Sequence, residues 1–266
     1  MLEATLKQGQ LLKRIIDSIK ELINDANFDC NSSGISLQAM DTAHISLVHL
    51  LLRAEAFDPY RCDRTLSLGV NITNFNKILK CASNDDQVTL KANDEGDSIS
   101  LAFESGKKER YSEFEVKLIE IEADQLGIPD TEYSVLVHMP SAELKRICSD
   151  MAILGDTVTI TATKEGVKFS ASGEIASGSI TVRQDASADD EDDNTLIELN
   201  EPVSLTFALK YLNIFCKSAS LSNRVALSLS KSSPLLVEFK FQENGHIRYY
   251  LAPKMENEGE ENADDE

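Results

Sequence analysis

Apolar residues recur along this chain with two different periods, and the two alternate. Leu11, Leu12, Ile15, Ile16, Ile19, Leu22 and Ile23 follow the helical period. They predict an amphipathic helix over 9–23, with Lys13, Asp17 and Lys20 on its wet face. Leu144, Ile147, Cys148 and Met151 predict a second helix over 141–153, with Ser141 as N-cap, Glu143 in the first turn and Gly155 at the exit. Shorter helices are expected near 73–82 and 209–219. Strict alternation in Thr157–Thr163 is that of a half-buried strand, and Val88–Ala92, Ile99–Phe103, Val225–Leu229 and Leu236–Phe241 read the same way. Asn84-Asp85-Asp86 and Glu165-Gly166 are turn chemistry. Four short helices among many antiparallel strands make an α+β pattern.

The pattern occurs twice. Leu12-Lys13-Arg14-Ile15 returns as Leu144-Lys145-Arg146-Ile147, and Gly34-Ile35-Ser36-Leu37 as Gly166-Val167-Lys168-Phe169, both at an offset of 132. Leu68, Val70, Ile72, Phe75, Ile78, Lys80 and Ala82 answer Leu205, Phe207, Leu209, Leu212, Phe215, Lys217 and Ala219 at an offset of 137. Ordered matches through both halves imply a tandem duplication of one domain. Each domain is expected to hold antiparallel sheet and two helices. The boundaries read as 1–117 and 136–254, joined by a linker at 118–135 and followed by an acidic, disordered tail at 255–266. Growth of the offset between the two sets places a longer loop in the second half, where 185–193 is acidic.

Composition changes this picture in one respect. The chain has 266 residues, with 45 Asp and Glu against 26 Lys and Arg, a net charge of −19. Such a total, evenly spread, would repel a polyanion. It is not evenly spread: the linker, the acidic loop and the tail together carry −18. The four helices hold nine bases and four acids. If they shared one surface, it would suit a phosphate backbone without reading sequence.

Candidate chemistry adds little. The five cysteines form no CxxC pair and read as reduced thiols of a cytosolic or nuclear protein. The four histidines lack metal-ligand spacing, and His44 and His49 sit in a strand-like stretch that places them on opposite faces. No phosphate-binding glycine loop, nucleophile elbow or zinc-protease motif occurs. No catalytic residue, metal or cofactor is therefore expected. Neither a membrane span nor a signal peptide is expected.

Several stretches, in order, resemble the eukaryotic sliding clamps, the proliferating cell nuclear antigen family. They are Leu37-Gln38-Ala39-Met40-Asp41, Tyr60-Arg61-Cys62-Asp63-Arg64, Lys77-Ile78-Leu79-Lys80-Cys81, Gln125-Leu126-Gly127-Ile128-Pro129, the run from Gly166 to Glu174, Asn200-Glu201-Pro202-Val203, Leu205-Thr206-Phe207-Ala208-Leu209, and Tyr249-Tyr250-Leu251-Ala252-Pro253-Lys254. The resemblance covers about residues 1–255. It implies a homotrimeric, head-to-tail ring around double-stranded DNA, acting as a polymerase processivity factor in the nucleus. Strands near 109–117 and 175–183 would join neighbouring copies. Lys13, Arg14, Lys20, Lys77, Lys80, Arg146, Lys210 and Lys217 would face the DNA. Ser149 stands where family members often carry a further base, so the third helix is less basic here. The implied partners are DNA polymerases, the clamp loader, nucleases, ligase and other proteins bearing clamp-binding peptides. Met40, Asp41, His44, Ile45, Leu126, Ile128, Pro234, Tyr250, Leu251, Ala252 and Pro253 would form the peptide pocket. Lys164 matches the family's ubiquitin acceptor. Two other readings compete: an acidic, protein-only adaptor or histone-binding chaperone, and a subunit of the heterotrimeric checkpoint clamp.

Overall fold

A computed structural model describes residues 1–94, 96–122, 127, 131–185 and 194–254. The first half runs β1 (Leu2–Leu6), α1 (Gln10–Ile19), β2 (Asp25–Asn31), β3 (Gly34–Met40), β4 (Ser46–Arg53), β5 (Tyr60–Cys62), β6 (Leu66–Asn71), α2 (Ile72–Leu79), β7 (Gln87–Ala92), β8 (Ser98–Glu104) and β9 (Tyr111–Lys117). The second half repeats that order: β10 (Val135–Pro140), α3 (Ser141–Leu154), β11 (Thr157–Thr163), β12 (Gly166–Ser172), β13 (Ser177–Val182), β14 (Leu196–Leu199), β15 (Val203–Ala208), α4 (Leu209–Phe215), β16 (Arg224–Ser230), β17 (Ser233–Lys240) and β18 (Gly245–Leu251). The duplication visible in sequence is thus a duplication of topology.

Pairing is antiparallel throughout. The first half contributes the runs β5-β1-β7-β8-β9 and β4-β3-β2-β6, and the second the equivalent runs β14-β10-β16-β17-β18 and β13-β12-β11-β15. One junction between the halves breaks the equivalence. β18 pairs along its whole length with β4, from Gly245↔Leu52 to Leu251↔Ser46, and fuses two runs into a nine-stranded sheet. Its counterparts are β9 and β13, and each of these ends a sheet. The difference shows in burial. Val48, Leu50, Ile247, Tyr249 and Leu251 at the junction are fully buried, whereas Phe114, Val116, Ile180 and Val182 on the free edges are only partly covered. Nearby, Tyr111 is 62 % exposed and Ile175 is 99 % exposed. Exposed edges with apolar borders are sites where another strand adds.

The helices depart from the sequence reading at their ends. α1 stops at Ile19, because the Leu22 and Ile23 amides both turn back to the Ile19 carbonyl, at 2.9 and 3.0 Å, and bury those side chains. The expected helix over 209–219 is α4 followed by a tighter 3-10 turn, Cys216–Ser220. Ser141 is not an N-cap. Pro140 holds that position, the Ser141 amide bonds the Asn223 carbonyl at 2.7 Å, and the hydroxyl is buried without a partner among the described residues. Gly155 does end α3, in extended backbone; a Cβ there would sit 2.8 Å from the Ser172 carbonyl oxygen, so the close approach favours glycine. Gly166 opens β12 at φ +138°, a conformation that excludes most side chains.

The start of the expected linker lies along the first half. Leu118 and Ile119 donate to the Asp97 and Gly69 carbonyls, and Asn27 Nδ2 reaches the Ile121 carbonyl. Leu126, Ile128, the tail and all of the acidic loop except Asp185 fall outside the described residues. All five cysteines are free. Among the described residues no helix is long and apolar enough to cross a membrane, and no cluster of three metal-ligating side chains occurs.

Candidate functional site

The four helices lie side by side in the order α2, α1, α4, α3, each touching the next. Each turns its apolar stripe into the core: Leu12, Ile15, Ile16 and Ile19 from α1, Phe75 and Leu79 from α2, Leu144, Ile147 and Met151 from α3, Leu212 and Phe215 from α4. The bases are left on the outer side of one continuous layer. Their surroundings differ, which the sequence did not reveal. Lys20 is paired with Asp17 and Lys217 with Glu21, and Arg146 approaches Asp150 at 3.9 Å. Lys13 Nζ donates to the Ala82 carbonyl at 2.7 Å, and Arg14 Nη1 to the Ser220 carbonyl at 2.8 Å, so these two tie α1 to the turns after α2 and α4. Lys77, Lys80 and Lys210 are exposed and, among the described residues, carry no carboxylate partner. Lys77 leans on Asn74, and Lys210 lies 4.7 Å over the Tyr211 ring.

A second surface forms at the rim of the nine-stranded sheet, on the face away from the helices. Cross-strand register sets Met40 opposite Leu47, Leu47 opposite Tyr250 and Tyr250 opposite Leu236. This is one apolar row across four strands. Pro234 is exposed one residue before Leu235, which pairs with Leu251. Ala252 donates its amide to the Ile45 carbonyl at 3.0 Å, bringing the chain after β18 against the loop 41–45. Met40, His44, Ile45, Pro234, Tyr250, Ala252 and Pro253 are thereby gathered at one rim. The Leu251 side chain is fully buried and faces the core, so its backbone alone borders this surface. Asp41 is also buried, its carboxylate turned inward. His44 lies in the loop at φ +55°, not in the strand with His49 as the sequence led us to expect. Lys164 is exposed in the turn between β11 and β12.

Leu47, Leu236 and half-buried Tyr133 were not singled out from sequence. Burial, then neighbouring Tyr250, push the Tyr133 hydroxyl up in pKa. A signal existed for Leu47. In Ser46–Arg53 both alternate sets contain leucine, so the outward set Leu47, His49 and Leu51 is too apolar for a plain solvated face.

The next rows of this face are polar. Arg248 Nε donates to Glu238 at 2.6 Å, and Lys240 approaches the same carboxylate at 3.4 Å. Burial would raise Glu238, but those cations outweigh it and hold the carboxyl low. The His49 and His246 rings lie 5.5 Å apart, each with one ring nitrogen unpartnered among the described residues. Burial first, then Arg248, depresses His246 to about 4, with Glu238 opposing and His49 and Arg53 adding to the depression. The folded state therefore resists a proton that the unfolded chain accepts near pH 6.5. This contribution destabilises the fold progressively as pH drops from about 6.5 to about 4. Replacing His246 with glutamine is expected to remove that part of the acid slope. Urea unfolding of both proteins at several pH values measures it: the variant gains on the native chain through this window.

Two family models match the chain. Proliferating cell nuclear antigen, N-terminal domain, matches residues 1–126. Proliferating cell nuclear antigen, C-terminal domain, matches residues 127–254.

Proposed function

The chain belongs to the proliferating cell nuclear antigen family, whose members are non-enzymatic DNA sliding clamps, and on that premise we propose that three copies close head to tail into a ring around duplex DNA. One observation carries this reading: the β18–β4 junction is made inside the chain, while its equivalents β9 and β13 are left as free edges. A contact already stable between the two halves can be repeated between copies. Transposing the register places Phe114, the counterpart of Tyr249, opposite Gly178 of the next copy, the counterpart of Val48. Such a contact uses different surfaces on each copy and leaves neither β9 nor β13 unpaired only if the rotation closes.

In the closed ring the helical layer lines the hole. Exposed lysines neutralise phosphates weakly and without regard to sequence, so the ring holds by topology and slides. A polymerase tethered to it stays concentrated at the primer end, which is processivity. The rim around Met40, Ile45, Tyr250 and Pro253 offers apolar anchorage to partner peptides carrying aromatic side chains, with Leu126 and Ile128 of the linker adding to it. We place the domains at 1–117 and 136–254, the linker at 118–135, the working compartment in the nucleus and ubiquitin on exposed Lys164, which would recruit damage-tolerant polymerases.

The test is topological. Loaded by a clamp loader onto nicked circular DNA, the protein is expected to stay bound at moderate salt and to run off once the circle is linearised. Retention that ignores linearisation would falsify the ring and favour a direct binder. Association that needs the acidic tail would favour a chaperone. Mass measured by light scattering on the chain alone separates a homotrimer from a subunit that needs two different partners.

A further inference from the structure

The loop from Asp41 to Ile45 carries part of the peptide rim but has no strand or helix of its own. Its shape rests on the Asp41 carboxylate. Oδ1 accepts the Ile45 amide at 2.8 Å and the Ser46 amide at 2.7 Å, and Oδ2 accepts the Ala43 amide at 3.2 Å. The Asp41 backbone closes the turn, its amide donating to Ser46 and its carbonyl accepting from His44. These bonds fold the loop on itself. Two others tie it to distant parts of the chain: the Ala252 amide donates to the Ile45 carbonyl at the loop's end, and one side-chain bond holds the Asp41 carboxylate itself. Tyr211, 170 residues away on α4, donates its hydroxyl to Asp41 Oδ2 at 2.8 Å, and both side chains are buried.

We propose that Tyr211 is a positioning residue for partner-peptide docking: its hydroxyl holds Asp41, and Asp41 holds Met40, His44 and Ile45 in the arrangement that receives the peptide. The inference rests on the rim being the docking surface. His44 shows why an anchor is needed, since its φ of +55° is uncommon for a residue other than glycine and persists only under constraint. A loop held in its bound shape loses less freedom on binding, so the anchor acts on affinity although it touches no peptide. Burial and the Asp41 charge push the Tyr211 hydroxyl up to about 12, so it remains a donor at physiological pH. The bond also links the rim to the helical layer, because Lys210 is the preceding residue and covers the Tyr211 ring.

Tyr211→Phe removes the hydroxyl alone. The probe is a synthetic peptide presenting one aliphatic and two aromatic side chains on a helical turn. Calorimetry is expected to show affinity about tenfold weaker, the scale of one hydrogen bond to a charged group. Oligomer mass is expected to be unchanged, and amide exchange to rise at Ala43, Ile45 and Ser46. Tyr249→Phe is the control. That hydroxyl bonds Ser218 and Ser18 in the core at 2.7 and 3.4 Å and does not touch the loop. It is expected to lower the melting temperature and leave peptide affinity alone. Unchanged affinity and unchanged exchange in Tyr211→Phe would overturn the proposal, as would equal affinity losses in both variants. If the native chain fails to bind the peptide, the docking reading falls, and the exchange measurement alone still decides whether Tyr211 positions the loop.

Discussion

Ile180→Asp is expected to block the proposed joining of copies and leave a folded monomer of 29.4 kDa. Ile180 lies on β13, and its equivalent on β4 is Leu50, fully buried at the β18 junction. In the isolated chain Ile180 is only partly covered, so a carboxylate there can stay hydrated and the domain should fold. Once β9 of a neighbour adds to the edge, the same carboxylate would lie unpaired inside a sheet. The penalty is on the order of 3 kcal/mol or more at each junction, and a ring has one such junction per copy. Light scattering gives the mass and circular dichroism the fold. An intact oligomer would show that β13 is not the joining edge. Leu50→Asp is the informative contrast, because the same change at the internal junction should unfold the chain.

The second large effect concerns the three lysines that have no carboxylate partner among the described residues. Changing Lys77, Lys80 and Lys210 together to glutamate is expected to weaken association with short duplex DNA by roughly ten- to a hundredfold at low salt. The salt dependence should also flatten, by about one unit of slope for each phosphate that is no longer neutralised. The same reversal at Lys20 and Lys217 should do less, since Asp17 and Glu21 already balance those charges. Anisotropy titrations over a range of salt distinguish the two sets. Equal slopes for all variants would mean that the helical layer does not meet the phosphates. The net charge of −19 would oppose binding only if it were mixed over the whole surface.

How far the fold was legible depends on which interactions set each part. Strand and helix positions followed from periodicity, because burial of one face imposes its period on the residues that form it. Helix ends were read less well. Ile19, Ser141 and Cys216 each end or begin an element through a partner or a turn that the period does not encode: the Ile19 carbonyl, the Asn223 carbonyl and a tightened last turn. The proposed docking rim was half legible. Met40, Tyr250 and Pro253 came from family resemblance, whereas Leu47 and Leu236 emerged only when the register set them in the same row. Tyr211 carried no local signal, because its role lies in one bond to a residue far away in the chain.

The sequence by itself determined the two periods, the tandem repeat and the segregation of acid from base, since all three are properties of near neighbours or of composition. The tertiary structure alone decided that β18 lies on β4 and leaves β9 and β13 open, which lysines are balanced by carboxylates, and that Asp41 is anchored by Tyr211. Apart from the local Lys20–Asp17 pair, these are pairings across long stretches of chain. A one-residue change of register would move every side chain of a strand to its other face, so such pairings exist only once the sheets have closed.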